Sequence, residues 1–175
     1  MEKTGLVIVH TGDGKGKTTA ALGLAMRAWG DGLRILILQF IKGGWKYGEL
    51  AAIAQLGERI EVHQCGHGFT QQAGSDAVRD QEAAAAALQR AREAMKSGRW
   101  DMLILDEINY AVKFGLLDET DILQLVDEKP PEMHLVLTGR DARPSVIEAA
   151  DLVTEMRLIK HPYQKGIKAQ KGIEF

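Results

Sequence analysis

Two lysines and three threonines lie in a glycine-rich stretch of the sequence. Residues 11–19 read Thr-Gly-Asp-Gly-Lys-Gly-Lys-Thr-Thr, directly after the apolar run Gly5-Leu6-Val7-Ile8-Val9. A glycine-rich turn between a strand and a helix directs backbone N–H groups at an anion, and the helix dipole adds to this attraction. The spacing therefore predicts a P-loop that binds nucleotide phosphates.

The residue types of this loop suit a nucleoside triphosphate. Lys17 would supply a positive charge to the phosphates, and the Thr18 hydroxyl would be a ligand for Mg²⁺. One departure is that the first glycine of the usual pattern falls on Thr11, with Gly12 one position late. The alternative is a glycine-rich turn that only caps a helix. The predicted nucleotide-binding residues are Gly12, Asp13, Gly14, Lys15, Gly16, Lys17, Thr18 and Thr19.

A second segment ends in two carboxylates. The run Met102-Leu103-Ile104-Leu105 is apolar and is followed by Asp106 and Glu107. Acids often cap the turn between a strand and a helix, but downstream of a P-loop this pattern predicts a Walker B strand. An oxygen ligand opposite the P-loop hydroxyl would complete an Mg²⁺ site. The predicted metal ligands are Thr18, Asp106 and Glu107, and the spacing leaves open which carboxylate approaches the metal.

Alternating strands and helices must position these residues. Unbroken apolar runs indicate strands that are covered on both faces. Such alternation predicts an α/β fold, a three-layer P-loop NTPase-like (RecA-like) domain whose mainly parallel central sheet has helices on both faces. Ligands should bind at the carboxyl ends of its strands. The predicted strands are 5–11, 33–39, 60–64, 102–106, 135–138 and 152–155, and the helices are about 17–29, 48–56, 76–97, 118–128 and 143–150.

Length and composition restrict the class of protein. The 175 residues predict one domain over 1–175, and 45% hydrophobic with 26% charged residues is ordinary for a globular chain. A net charge of -2 disfavours a dedicated nucleic-acid binder. No apolar stretch approaches the ~20 residues of a membrane span, and no signal peptide precedes the first strand. The single cysteine, Cys65, excludes an internal disulfide, and we expect a cytoplasmic protein.

One further cluster contains residue types that bind metals. His63, Cys65 and His67 alternate, so a continuing strand would place all three on one side, as in a zinc site. Gly66 and Gly68 interrupt this regularity, and no fourth ligand is apparent. We therefore favour the end of a strand that leads into a loop.

Four segments together resemble the ATP:corrinoid adenosyltransferases of the cobalamin-biosynthesis type. The resemblance covers nearly the whole chain and accounts for the late first glycine. Its most specific part is the segment Lys160-His161-Pro162 with Gly166 through Phe175. The other matching segments are residues 12–21, residues 39–43 with 48–49, and residues 105–107 with Tyr110 and residues 137–140.

The resemblance implies an unusual use of a P-loop. In this family a corrinoid reduced to Co(I) attacks the 5′ carbon of ATP, forms a cobalt–carbon bond and releases triphosphate. ATP is bound in the reverse direction to that in ordinary P-loop enzymes. Lys17, Mg²⁺ and the loop N–H groups would stabilise the leaving group. Arg27 matches a family arginine near the phosphates, and a solvated helix face is the alternative for it.

The resemblance also implies a site for the corrinoid. Family members pack apolar side chains beneath the ring, which removes the lower axial ligand and eases reduction to Co(I). Gly68-Phe69-Thr70 matches a family segment Gly-Phe-Thr-Trp, and Gln71 stands at the Trp position. The predicted catalytic residues are thus Lys17, Phe69 and Glu107. Only four residues precede Gly5, so the lid that a longer N-terminal segment forms in some relatives is expected to be missing or supplied otherwise.

Two rival functions remain at this stage. A small-molecule kinase could use Arg140 and Arg143 to clamp phosphates, and a RecA-like module could act on nucleic acid. The segment 160–175 disfavours the kinase, and the lack of a dense basic stripe outside residues 160–171 disfavours the nucleic-acid module. The expected partners are ATP, a corrinoid, a reduced flavoprotein as electron donor and a second copy in a homodimer, with neither nucleic acid nor membrane. The sequence leaves open which corrinoid is preferred.

Overall fold

A parallel sheet forms the centre of the molecule. The computed structural model describes residues 4–44, 46–68 and 75–174. Within them the sheet has six strands in the order β3-β2-β4-β5-β1-β6, and each neighbouring pair is parallel. The parallel α/β prediction is confirmed. The strands are β1 Val7–Thr11, β2 Ile35–Gln39, β3 Ile60–Gln64, β4 Met102–Asp106, β5 His134–Thr138 and β6 Leu152–Glu155.

Helices connect the strands and cover both faces of the sheet. One apolar cluster joins Ile8, Ile37 and Ile104 to alanines of α1. A second cluster joins alternate residues of the same strands to α3, α4 and α5. This alternation is the reason that the strand sequences read as unbroken apolar runs. The helices are α1 Lys17–Gly30, α2 Gly48–Ile53, α3 Ser75–Lys96, α4 Ile108–Lys113, α5 Glu119–Glu128 and α6 Pro144–Ala149, and Pro162–Lys165 forms a 3₁₀ turn.

The structure corrects the boundaries of three elements and adds one helix. The first strand begins at Val7 rather than Gly5, because the Leu6 amide donates to the His134 side chain instead of to a backbone carbonyl of the neighbouring strand. The second strand begins at Ile35 rather than Leu33. The helix predicted over 48–56 ends at Ile53. Helix α4 was not predicted, because its six residues are too few to show a helical period.

The outer strand β6 differs from the other five in its exposure. All four of its residues are exposed, whereas β1, β2 and β4 are buried throughout. It pairs on one side with β1, with Thr11 opposite Glu155. The carboxyl ends of β1, β2, β4 and β5 thus lie side by side next to it, as parallel strands require. Among the described helices, none combines the length and apolar character that crossing a bilayer would require.

Candidate functional site

The P-loop connects β1 to α1 and is supported by the chain that follows β6. Gly12 and Gly16 have positive φ angles of 92° and 117°. A Cβ on Gly12 would lie 2.5 Å from the Met156 carbonyl oxygen, and one on Gly14 would lie 2.7 Å from it. The Gly14 amide donates to that oxygen at 2.7 Å. Only glycine fits at these two positions, and Thr11, at the usual site of the first glycine, is the last residue of β1.

Lys17 is the first residue of α1 and is folded back over the loop. Its Nζ donates to the carbonyl oxygens of Gly12 at 2.9 Å and Gly14 at 2.7 Å. The residue is 7% exposed. Burial lowers the pKa of Lys17, and the charge of Glu107 partly opposes that shift. The ammonium group is therefore poorly solvated and lies where the loop would surround an anion.

Asp106, the last residue of β4, is the centre of a buried hydrogen-bond network. The hydroxyl groups of Thr18 and Thr138 each donate to its Oδ1 at 2.8 Å. Its Oδ2 accepts from Gln39 at 3.3 Å and faces Lys42 Nζ at the same distance. The carboxylate is 1% exposed, so partners from four parts of the chain compensate its burial. We call this set the Asp106 network, and it consists of Thr18, Gln39, Lys42, Glu49, Asp106 and Thr138.

Glu107 follows Asp106 but lies in a different environment. Its φ of 64° is in the left-handed region, which turns the chain out of β4 before α4 begins. Its amide donates to Thr138 Oγ1 at 2.9 Å, and its side chain lines the cleft beside the P-loop. Burial, and next the charge of Asp106, raise the pKa of Glu107 to about 6. Lys17, Lys42 and Arg140 lower it in part.

The structure shows which of the two carboxylates lies beside the Thr18 hydroxyl, a choice that the spacing in the sequence left open. Asp106, and not Glu107, contacts the Thr18 hydroxyl. A hydroxyl and a carboxylate are hard oxygen donors of the kind that Mg²⁺ takes in P-loop sites. The adjacent Thr18 and Asp106 oxygens therefore fit Mg²⁺, with Glu107 lining the same cleft.

A cleft of about 420 Å³ lies against the N-terminus of α1. A second cleft of about 380 Å³ lies on the side of Asp13 and Arg140. Glu174 lines both, and its carboxylate forms an ion pair with Lys15 at 2.9 Å. The segment 162–174 thus closes one side of the candidate nucleotide site. The first cleft is lined by Lys15, Gly16, Lys17, Thr18, Thr19, Leu22, Lys42, Gly48, Glu49, Glu107, Gly172, Ile173 and Glu174.

One expected site residue, Arg27, is not brought into this cluster. Arg27 is exposed in the last turn of α1, a helix of 14 residues, and therefore about 20 Å long. The P-loop is at the opposite end of that helix, so Arg27 does not reach the cleft of its own chain. Phe69, with Gln71, lies outside the described residues.

Several residues of the site were not given a role by sequence reasoning. Gln39, Lys42, Glu49 and Thr138 belong to segments that matched the family but carried no assigned chemistry. Their positions at or after the carboxyl ends of β2 and β5 were the available signal. The segment with His63, Cys65 and His67 was correctly predicted to lie at the end of a strand. There His63 Nε2 lies 3.3 Å from Glu61 Oε2. In the described part of the chain, no group of three or more His, Cys, Asp or Glu side chains is arranged to hold a metal.

Comparison with known sequences gives a full-length match. The family model described as ATP:corrinoid adenosyltransferase BtuR/CobO/CobP matches residues 3–175. A corrinoid adenosyltransferase of Sinorhizobium sp. is 43% identical over 99% of this chain and 82% of its own. One from Pseudomonas aeruginosa is 42% identical, over 99% of this chain and 85% of its own. One from Salmonella typhimurium is 36% identical, over 100% of this chain and 88% of its own.

Comparison with solved structures agrees with the fold. The crystal structure of a KaiC-like protein from Pyrococcus horikoshii aligns with a TM-score of 0.56 and 19% identity. The alignment covers 91% of this chain and 75% of that one. At this identity the similarity concerns the fold alone, and it confirms the RecA-like prediction.

Proposed function

The chain belongs to the ATP:corrinoid adenosyltransferase family, and from this membership we propose its reaction. It transfers the 5′-deoxyadenosyl group of ATP to the Co(I) of a corrinoid and releases triphosphate, in the biosynthesis or salvage of adenosylcobalamin. The single observation that carries the proposal is the family match over residues 3–175, because a P-loop alone serves many reactions. Neither the kinase nor the nucleic-acid module explains that match.

The P-loop supports this reaction as a site for the leaving group. Negative charge grows on the triphosphate as the bond to the 5′ carbon breaks. The amides at the start of α1 and the Lys17 ammonium, which is held on the loop at 2.9 and 2.7 Å from two carbonyl oxygens, stabilise that charge. Loop residues Gly12 to Thr19 bind the phosphates, with Lys17 as the catalytic cation.

The pair Thr18 and Asp106 is proposed to hold Mg²⁺. When bound, the ion supplies further positive charge to the triphosphate. Thr138 and Gln39 fix the Asp106 carboxylate by donating to its two oxygens, so the ligand is oriented before any nucleotide arrives. Glu107, whose pKa is raised to about 6 by burial and then by Asp106, lies at the edge of the cleft and completes the acidic side of the site.

The corrinoid is proposed to bind near the segment that follows β3. Phe69 would pack against the ring and hold off the lower axial ligand, with Gln71 at the position of the family tryptophan. Phe69→Ala should then impair turnover from Co(II) with a weak reductant, and spare most of the activity with corrinoid already reduced to Co(I). Equal losses in both assays would contradict this role.

Three further features are proposed from the family alone. The enzyme acts as a homodimer, takes electrons from a reduced flavoprotein and works in the cytoplasm. Arg27 remains a proposed phosphate ligand only if it is presented to a site other than that of its own chain. Sedimentation analysis of Arg27→Ala and the parent protein measures assembly, and ATP titration of the same two proteins measures binding. Together they separate loss of assembly from loss of ATP binding.

The proposed reaction is tested by its products. The protein is incubated anaerobically with ATP, Mg²⁺ and chemically reduced corrinoid, while the cobalt spectrum and the released phosphates are followed. We expect one intact triphosphate for each adenosylated corrinoid. Release of phosphate or ADP at a rate independent of the corrinoid would instead indicate an ATPase or a kinase.

A further inference from the structure

Lys42 is a second lysine of the nucleotide cleft, and no phosphate-binding motif predicts it. It follows β2, whereas Lys17 begins α1, and both side chains line the cleft of about 420 Å³. The Lys42 side chain is 13% exposed. A cation buried to this extent requires partners, and its partners show what it can do.

Two carboxylates share the Lys42 ammonium group. Its Nζ lies 3.3 Å from Glu49 Oε1 and 3.3 Å from Asp106 Oδ2, and 4.7 Å from the centre of the Tyr47 ring. Burial disfavours the charge, but Asp106 and Glu49 outweigh it and raise the pKa of Lys42. The lysine therefore stays charged. Both contacts are longer than the about 2.7–2.9 Å of a strong charge-assisted hydrogen bond.

Gln39 can replace Lys42 at both carboxylates. Its Nε2 donates to Asp106 Oδ2 at 3.3 Å and to Glu49 Oε1 at 3.4 Å, which are the two oxygens that Lys42 faces. If Lys42 turns into the cleft, neither carboxylate oxygen loses its last donor. The usual penalty for leaving a buried acceptor unpaired is thereby reduced.

On these contacts we propose that Lys42 is a substrate-binding residue that contacts the triphosphate group in the cleft that it lines together with the P-loop. Glu49 is its tether, and Gln39 keeps Asp106 and Glu49 hydrogen-bonded while Lys42 contacts phosphate. The inference rests on the proposed function, because it assumes a triphosphate in this cleft. It adds a residue from the segment after β2 to the cations of the P-loop.

The test measures binding without catalysis. Inorganic triphosphate is titrated into the full chain by calorimetry with Mg²⁺ present, and Mn²⁺ alone is titrated by electron paramagnetic resonance. Lys42→Met should weaken triphosphate binding about 10- to 100-fold, the loss expected for one charged hydrogen bond. The same substitution should strengthen binding of Mn²⁺ alone, because it removes a positive charge beside Asp106.

One variant controls this measurement. Lys96→Met removes the same charge from an exposed site at the end of α3 and should leave both affinities unchanged. Opposite changes of the two affinities in Lys42→Met support the proposal.

Other outcomes overturn it. If Lys42→Met weakens triphosphate and Mn²⁺ binding together, Lys42 only maintains the Asp106 network. If triphosphate binding is unchanged, Lys42 has no contact with it, and the proposed function still stands. If the parent chain does not bind triphosphate while its fold is intact, both the proposed function and this inference are wrong.

Discussion

The two sides of the nucleotide cleft are built in different ways. On one side, the Asp106 network joins β2, β4, β5 and α1 through side chains that are largely buried. On the other, the segment 162–174 is largely exposed, and its ion pair at the P-loop is formed by Lys15 and Glu174, whose side chains are 41% and 23% exposed. Buried polar contacts are costly to leave unpaired, whereas exposed ion pairs exchange easily with water and salt. The side of the Asp106 network is therefore the fixed side of the cleft, and the side of segment 162–174 is the exchangeable side.

The largest expected effect separates the two P-loop lysines. Lys17→Ala removes the cation held inside the loop and should lower the rate of adenosyl transfer by about 10² to 10³. Lys15→Ala removes a partly exposed cation and should cost less than about tenfold. Single-turnover assays with Co(I) corrinoid measure both. Equal losses would show that the difference in burial does not decide function.

The next effect concerns two threonines of different strands, Thr138 of β5 and Thr154 of β6. Thr138 is fully buried, donates to Asp106 and accepts from the Glu107 amide. Thr138→Val should lower the free energy of unfolding by about 1–3 kcal/mol, because it leaves the Glu107 amide unpaired and removes one of the two hydroxyl donors to Asp106 Oδ1. Thr154→Val changes the exposed β6 and should stay within about 0.5 kcal/mol. Urea denaturation of both variants measures the two free energies of unfolding. An unchanged value for Thr138→Val would show that the hydrogen bonds of Thr138 do not stabilise the fold.

A smaller effect depends on pH. The pKa of Glu107 rises from 4.5 to about 6 in the folded chain, so the folded state retains a proton that the unfolded state has lost between these values. The contribution of Glu107 to the free energy of unfolding should therefore fall by about 2 kcal/mol as the pH rises through this range. This contribution is lost once the pH has risen through the folded pKa of about 6. Glu107→Gln should remove this slope, and a slope that persists in the variant would assign it to another group.

The smallest effect is expected on the exchangeable side. Glu174→Gln breaks the ion pair with Lys15 and should change the free energy of unfolding by less than about 1 kcal/mol. Raising the salt concentration should reduce even this difference. Glu58→Gln, an exposed change of the same charge before β3, is the control. A large loss in Glu174→Gln alone would show that the two sides are equally fixed.

The same contrast explains which features the sequence could predict. Buried strands give apolar runs, and the P-loop has a fixed pattern over adjacent residues, so β1, β4 and the loop were predicted from local sequence. The choice between Asp106 and Glu107 depends on the left-handed turn at Glu107, which spacing does not reveal. A left-handed backbone angle at a glutamate cannot be recognised from the sequence, because the residue type does not indicate it.

The Asp106 network was beyond local reasoning for a different physical reason. Gln39 and Asp106 are 67 positions apart, and Thr18 and Asp106 are 88 apart, so no periodic pattern connects them. Only the order of the strands in the sheet brings them together. A role for Arg27 was expected from the resemblance, and its place in the last turn of α1, away from the cleft of its own chain, leaves that role a proposal.

The support of the P-loop by Met156 has a consequence for the order of folding. The hydrogen bonds of Gly14 to the Met156 carbonyl, and of Met156 to Thr11, join regions far apart in the sequence. Such contacts form only after a large loop has closed, which is slow relative to local helix formation. The P-loop therefore reaches its final structure late in folding, although its own residues are contiguous. ATP binding would then select chains that have already docked β6, and it would not guide the early collapse of the sheet.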